Sequence, residues 1–185
     1  SYACDVTITP SEDYSTRLGS LRGGTAERWT NVCLQPGTYT SPVRVHDAQY
    51  LRILAPSGGV TFTASVRYVA GNSAPFNVWD SHDVHIQNIK SVNTYTFTTT
   101  ADSTSQWSHA FRIVRTNNLT LENVDLVSNG KQALFMENTS NTLIYGGSIK
   151  GYYFLFSPAD QNSIYTYNVT FTTDGSTFQL FGDHR

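Results

Sequence analysis

The sequence predicts an all-β protein, a right-handed parallel β-helix (a solenoid) of about six rungs with a short helical cap at the N-terminus. Three observations carry this expectation. The 185 residues include 24 Thr, 19 Ser and 13 Asn, with 22 Val plus Ile and 13% aromatic residues. That mixture suits strands and tight turns, suits helices poorly, and is too aromatic for disorder. Four segments repeat one pattern of turn residues, alternating apolar residues and then Asn or Gly: 82–89, 117–124, 141–148 and 162–169, with a weaker copy at 49–53. Anchoring them on Leu51, Val84, Leu119, Leu143 and Ile164 gives spacings of 33, 35, 24 and 21 residues. Eight residues before each anchor stand Val43, Phe76, Phe111, Phe135 and Phe156. Such ladders describe coils that bury their apolar faces only by stacking.

The elements follow in order. Residues 1–41 read as a cap: Glu12 to Leu21 forms a short amphipathic helix with Ser11 as its N-cap and Gly23-Gly24 beyond its end. The segment from Val32 to Tyr39 supplies a strand, a turn and the way into the first rung. Residues 42–185 form the β-helix. The longer spacings leave extra residues between Ser57 and Ala74 and in the Thr-rich stretch from Asn93 to Trp107, both expected to protrude as loops. Asn residues near each anchor, among them Asn88, Asn123 and Asn168, are expected to ladder at the corners.

Charge and cysteine content bound the function. Twelve basic against fourteen acidic residues, a net charge of −2, disfavour a nucleic-acid partner, and no apolar run is long enough to span a membrane. Three sequons, at Asn118, Asn138 and Asn168, together with one Met and three Lys, point to a secreted, extracellular glycoprotein. In that compartment Cys4 and Cys33 are expected to form a disulfide, and Ser1 to Cys4 suits the start of a processed chain. Asn118 and Asn138 are expected to accept sugar more readily than Asn168, which the repeat places in an inner ladder. No Cys/His zinc spacing, phosphate loop or Gly-x-Ser-x-Gly elbow is present, so no metal or cofactor is expected.

The segment Leu34-Gln35-Pro36-Gly37-Thr38-Tyr39 resembles the Leu-x-Pro-Gly-x-Tyr segment of the first coil in the pectate-lyase-like β-helix superfamily. The resemblance implies the fold and carries no chemistry. The C-terminal third is similar to pectin methylesterases: Gln132-Ala133-Leu134-Phe135 sits where that family has Gln-Asp-Thr-Leu-Tyr, and Tyr153-Phe154-Leu155-Phe156 near its Asp-Phe-Ile-Phe. Both catalytic carboxylates would then be missing, around Ala133 and Tyr153, and ester hydrolysis by that mechanism would be absent. Lyases of the superfamily use clustered acids for calcium, and no outward row of acids on consecutive rungs appears here.

Strand alternation places Arg44, Asn77, Arg112, Met136 and Ser157 in one outward row and His46, Trp79, Val114, Asn138 and Ala159 in the next. On another strand lie Arg52, His85, Thr120, Ile144 and Tyr165, beside Gln87, Glu122 and Tyr167. Arg44, His46, Trp79, Arg112, His85 and Glu122 are therefore the candidate carbohydrate contacts. The cluster from Asp80 to His85 is dense in ionisable groups, but His82 and Asp83 occupy a corner where turn formation explains them. The leading functional expectation is a non-catalytic, self-assembling extracellular protein. A polysaccharide-active lyase or hydrolase is the alternative, and a polysaccharide- or ice-binding protein the second. Phe178, Leu180 and Phe181, in a sixth rung with no visible cap, are the expected end-to-end contact with another copy.

Overall fold

The computed structural model describes residues 2–67, 74–96, 108–130, 132–151, 153–157, 163–173 and 180–182. Three parallel sheets wrap around one core. Sheet I holds β1 (Val6–Ile8), β2 (Thr30–Leu34), β5 (Gln49–Leu54), β8 (His82–Gln87), β11 (Asn117–Glu122), β14 (Ser140–Tyr145) and β17 (Ile164–Tyr167). Sheet II holds β4 (Val43–His46), β7 (Phe76–Trp79), β10 (Phe111–Val114), β13 (Gln132–Glu137), β16 (Tyr153–Ser157) and β19 (Leu180–Gly182). Sheet III holds β3 (Gly37–Tyr39), β6 (Val60–Ala64), β9 (Ile89–Asn93), β12 (Asp125–Ser128), β15 (Ser148–Gly151) and β18 (Thr170–Thr173). Each circuit of the chain adds one strand to each sheet, which is the parallel β-helix expected from the repeat. The boundary at residue 41 falls between β3 and β4, inside this continuous stack.

The interior is made of side-chain columns. Val43, Phe76, Phe111 and Leu134 are in register in sheet II, and Phe76 and Phe111 stack at 5.3 Å with planes 8° apart. Leu51, Val84, Leu119 and Thr142 are in register in sheet I, followed two residues on by Ile53, Ile86, Leu121 and Ile144. These residues are all buried. Tyr39 stacks on Phe62 at 4.8 Å and donates from its hydroxyl to the Gln35 carbonyl at 2.7 Å.

The corners explain the composition. Asp47, Asp80, Arg115 and Asn138 have positive φ where sheet II turns into sheet I, and Asn88, Asn123, Gly146 and Asn168 do so where sheet I turns into sheet III. Asn, Asp and Gly tolerate that conformation best. Next to the first corner runs a hydroxyl ladder. Ser81, Thr116 and Thr139 each donate to the carbonyl two residues back, and each accepts an N–H from the coil before: Ala48, Ser81 and Thr116 respectively.

The helix α1 (Tyr14–Ser20) packs on β4, the edge strand of sheet II, with Tyr14 and Leu18 buried. Its N-cap is Asp13, whose side chain accepts from Thr16 N–H, and not Ser11. The disulfide Cys4–Cys33 is present, with Cα atoms 5.6 Å apart.

Three expectations are corrected. The fourth coil is one residue out of the expected register: Thr142 occupies the inner column and Leu143 faces outward, in register with Thr120. Likewise Phe135 lies in the outward row with Arg112, and Met136 faces the core with Ile113. A slip of one residue exchanges the two faces of a strand. Part of the first insertion is not a loop, because Val60 to Ala64 forms β6. Asn168 is exposed at its corner, not committed to an inner ladder. Phe178, Ser1, Trp107 and the stretch 97–107 lie outside the described residues. In β19, Leu180 is in register with Leu155 and Phe181 with Phe156.

Candidate functional site

The six expected carbohydrate contacts separate onto two sheets. Arg44, His46, Trp79 and Arg112 lie on the outward side of sheet II, and His85 and Glu122 on that of sheet I.

On sheet II the charges pair among themselves. Arg44 lies over the Trp79 ring at 3.9 Å, with the guanidinium of Arg112 at 5.0 Å and that of Arg115 at 5.5 Å from the same centroid. Arg112 pairs with Glu137 at 3.4 Å, and Arg115 with Asp80 through two bonds. His46 bonds its neighbour Asp47. The hydrogen bond from Arg115 lowers the Asp80 carboxyl and raises the Arg115 guanidinium, while burial lowers Arg44. A sugar ring stacking on Trp79 would have to displace a guanidinium already held there. The two segments similar to pectin methylesterases are neighbours on this sheet, with Gln132 opposite Tyr153. Neither carries a carboxylate.

Sheet I presents an open groove of about 470 Å³. Its floor is the outward column Arg52, His85, Thr120, Leu143 and Tyr165, one residue from each successive coil. One side is the corner column of Asp83, Asn118 and Asn141, and the end near β2 is walled by Tyr2 and Trp29. Arg52 fixes that wall: its guanidinium lies 4.2 Å from the Tyr2 ring and 4.5 Å from the Trp29 ring, and it donates to Asn31 Oδ1 at 3.1 Å. At the other end Tyr165 is 58% exposed and Tyr167, beside it, 66%.

His85, on the groove floor, forms an acid–base pair with Glu122 of the next coil. His85 Nε2 lies 2.9 Å from Glu122 Oε2, a diagonal contact between β8 and β11, and both side chains are about four-fifths covered (21% and 18% exposed). The Tyr145 hydroxyl donates to the other Glu122 oxygen, and that bond raises its pKa. With Glu122 accepting at Nε2, the neutral imidazole keeps its lone pair on Nδ1. By contrast, Asp83 is bonded to His82 Nδ1 at 2.8 Å, and His82 Nε2 to Gln49. Among the described residues, no group of three or more His, Cys, Asp or Glu is arranged to hold a metal ion.

Arg52, Tyr2 and Trp29 were not among the candidates drawn from the sequence. Arg52 was legible as an outward neighbour of His85. Tyr2 and Trp29 belong to no repeat, so nothing in the periodic pattern points to them.

No family model matches the chain, and no curated protein matches it. Solved structures do. Escherichia coli YbhC superposes with a TM-score of 0.65 at 12% identity, over 98% of this chain and 68% of that one. Pectin methylesterase from carrot gives 0.63 at 13% identity, over 97% and 68%. The Aspergillus niger pectin methylesterase gives 0.56 at 17% identity, over 94% and 68%. At these identities the likeness establishes the fold alone, a right-handed parallel β-helix. Among the described residues, no helix is long and apolar enough to cross a membrane.

Proposed function

We propose that this protein is a secreted, polysaccharide-active enzyme that holds a uronate-bearing chain along the sheet I groove and cleaves it by β-elimination. The observation that carries the reading is the His85–Glu122 bond beside Arg52, in a groove with aromatic ends. His85 Nδ1 takes the proton from C5 of the uronate, the electrons form the C4–C5 double bond, and the C4–O4 bond breaks. The leaving oxygen takes a proton from water. Glu122 orients the imidazole and stabilises its cation, as a carboxylate does in other His-based sites. Arg52, one strand away in register, neutralises the substrate carboxylate and so acidifies C5.

Hydrolysis by two carboxylates is less well supported, because it needs a second free acid about 5–10 Å from the first. Asp83 is bonded to His82 at the corner and cannot serve as that second acid. The disulfide supports secretion. The likeness to enzymes named for pectin favours activity on a polysaccharide over a purely self-assembling role.

A panel of polyuronates, read for ultraviolet absorbance of unsaturated ends, tests the proposal. His85→Ala is expected to lower turnover by about 10²–10⁴-fold, the usual contribution of a general base. Turnover unchanged in that variant, or no unsaturated product from any polyuronate, overturns it.

A further inference from the structure

The groove also carries a sequon. In Asn118-Leu119-Thr120, Leu119 is buried in the core column, while Asn118 and Thr120 both line the groove. The left-handed backbone at Asn118 interrupts the ladder there, with Asn117 and Leu119 in register with the coil before and Asn118 out of it. Asn118 is exposed and has a φ of 56°, which turns its side chain onto the corner beside Asp83 and Asn141. The other two sequons are placed differently. Asn138 stands at the corner after sheet II, and Asn168 at the corner before sheet III. Both are exposed, and neither lines the groove.

We propose that Asn118 is an N-glycosylation site whose glycan lies in the sheet I groove, so that the attached sugar and a free polysaccharide exclude one another. The inference rests on the groove being the polysaccharide site. The covalent step needs a glycosyl diphosphate donor from the secretory pathway: Asn118 Nδ2 forms a bond to the anomeric carbon, the diphosphate leaves, and the amide loses one proton. The first sugar then begins inside the groove wall. Thr120 and His85 lie on its floor side, and Leu143 and Tyr165 offer apolar surface further along. A glycan at Asn138 or Asn168 starts on a different corner column and leaves the floor open. The modification would thus keep the groove closed until the glycan is trimmed.

The test compares the full chain secreted from a glycosylating host with the same chain made in a bacterial periplasm, where the disulfide forms without the sugar. Three readouts are taken: peptide mass at Asn118, nitration of Tyr165 with Tyr167 as internal control, and retention by polygalacturonate in affinity electrophoresis. The glycosylated form is expected to carry sugar on Asn118, to protect Tyr165 but not Tyr167, and to bind polygalacturonate at least about tenfold more weakly, which corresponds to about 1.4 kcal/mol. Asn138→Gln and Asn168→Gln in the glycosylating host are expected to leave that difference intact. An unoccupied Asn118 overturns the inference, and so does an occupied Asn118 with Tyr165 equally reactive in both forms. If Tyr165 is protected but neither form binds, the groove is not the polysaccharide site; the exclusion falls with it, while the glycan placement stands on the nitration result alone.

Discussion

Two threonines show how one residue type takes opposite roles in this fold. Thr116 belongs to the corner ladder: its hydroxyl donates to the Val114 carbonyl at 2.9 Å and accepts the Ser81 N–H at 3.4 Å. Thr142 stands in the core column between Leu119 and Ile164, with its hydroxyl buried and without a hydrogen-bond partner. The substitution to valine keeps the shape and removes the hydroxyl in both cases. At Thr116 it leaves the buried Ser81 N–H without its acceptor, while the Val114 carbonyl keeps the Asp80 N–H, and is expected to cost about 1–3 kcal/mol. At Thr142 it removes an unsatisfied polar atom and is expected to stabilise by about 1 kcal/mol. Denaturant midpoints of Thr116→Val and Thr142→Val should therefore move in opposite directions. Equal shifts of the same sign would show that the ladder contributes nothing specific.

At the scale of elements, the junction of β9, β10 and β13 is tied by backbone groups around His109. Asn93 Nδ2 donates to the His109 carbonyl at 3.0 Å, and His109 Nδ1 donates to the Gln132 carbonyl at 3.3 Å. Burial pushes the imidazole down to about 3, so it is neutral when folded and protonates readily only when unfolded, near 6.5. The unfolded chain then binds one more proton than the fold between those values. Stability from this group is complete above about pH 6.5 and falls by about 1.4 kcal/mol per pH unit as pH drops toward 3. Asp5, Glu12 and Asp80, whose carboxyls are lowered by hydrogen bonds, lose their contribution only below the usual carboxylate range. His109→Gln keeps a donor for Gln132 and is expected to flatten the slope between pH 6 and 5 in denaturant titrations. An unchanged slope there would assign it to other groups.

The same scale explains what was legible in the sequence. The sheets follow from the columns of Phe, Leu, Val and Ile, because stacking repeats the inward positions whatever the loop lengths. The fourth coil misleads for a physical reason: its inner position is Thr142, while the apolar Leu143 and Phe135 face outward, so an apolar anchor selects the wrong face. The hydroxyl ladder was hidden because Ser81, Thr116 and Thr139 look like ordinary turn residues. The His85–Glu122 pair is a diagonal contact across two outward rows, and rows read one at a time do not show it.

At the scale of the whole molecule, the disulfide links the stability of the stack to the shape of the groove. Cys4 and Cys33 join the N-terminal arm to β2, closing a separation of 29 residues. For a loop of this size the chain-entropy contribution is about 3–4 kcal/mol. The arm is also held by Asn31, which donates from Nδ2 to the Ala3 carbonyl at 3.1 Å, and by Asp5, which accepts the Asn31 N–H at 2.8 Å. Only through this arm does Tyr2 reach Arg52, and Arg52 is the groove's cation. Two variants separate the effects. Cys4→Ser with Cys33→Ser is expected to lose both stability, by about 3–4 kcal/mol, and polyuronate retention. Tyr2→Ala is expected to keep the denaturation midpoint and to lose retention alone, because it removes one of the two rings against which Arg52 is held without touching the core. Affinity electrophoresis beside denaturant melts reads both quantities on the same samples. Retention that survives in Tyr2→Ala while it fails in the double serine variant would show that the disulfide acts on the groove through β2 and not through the tyrosine.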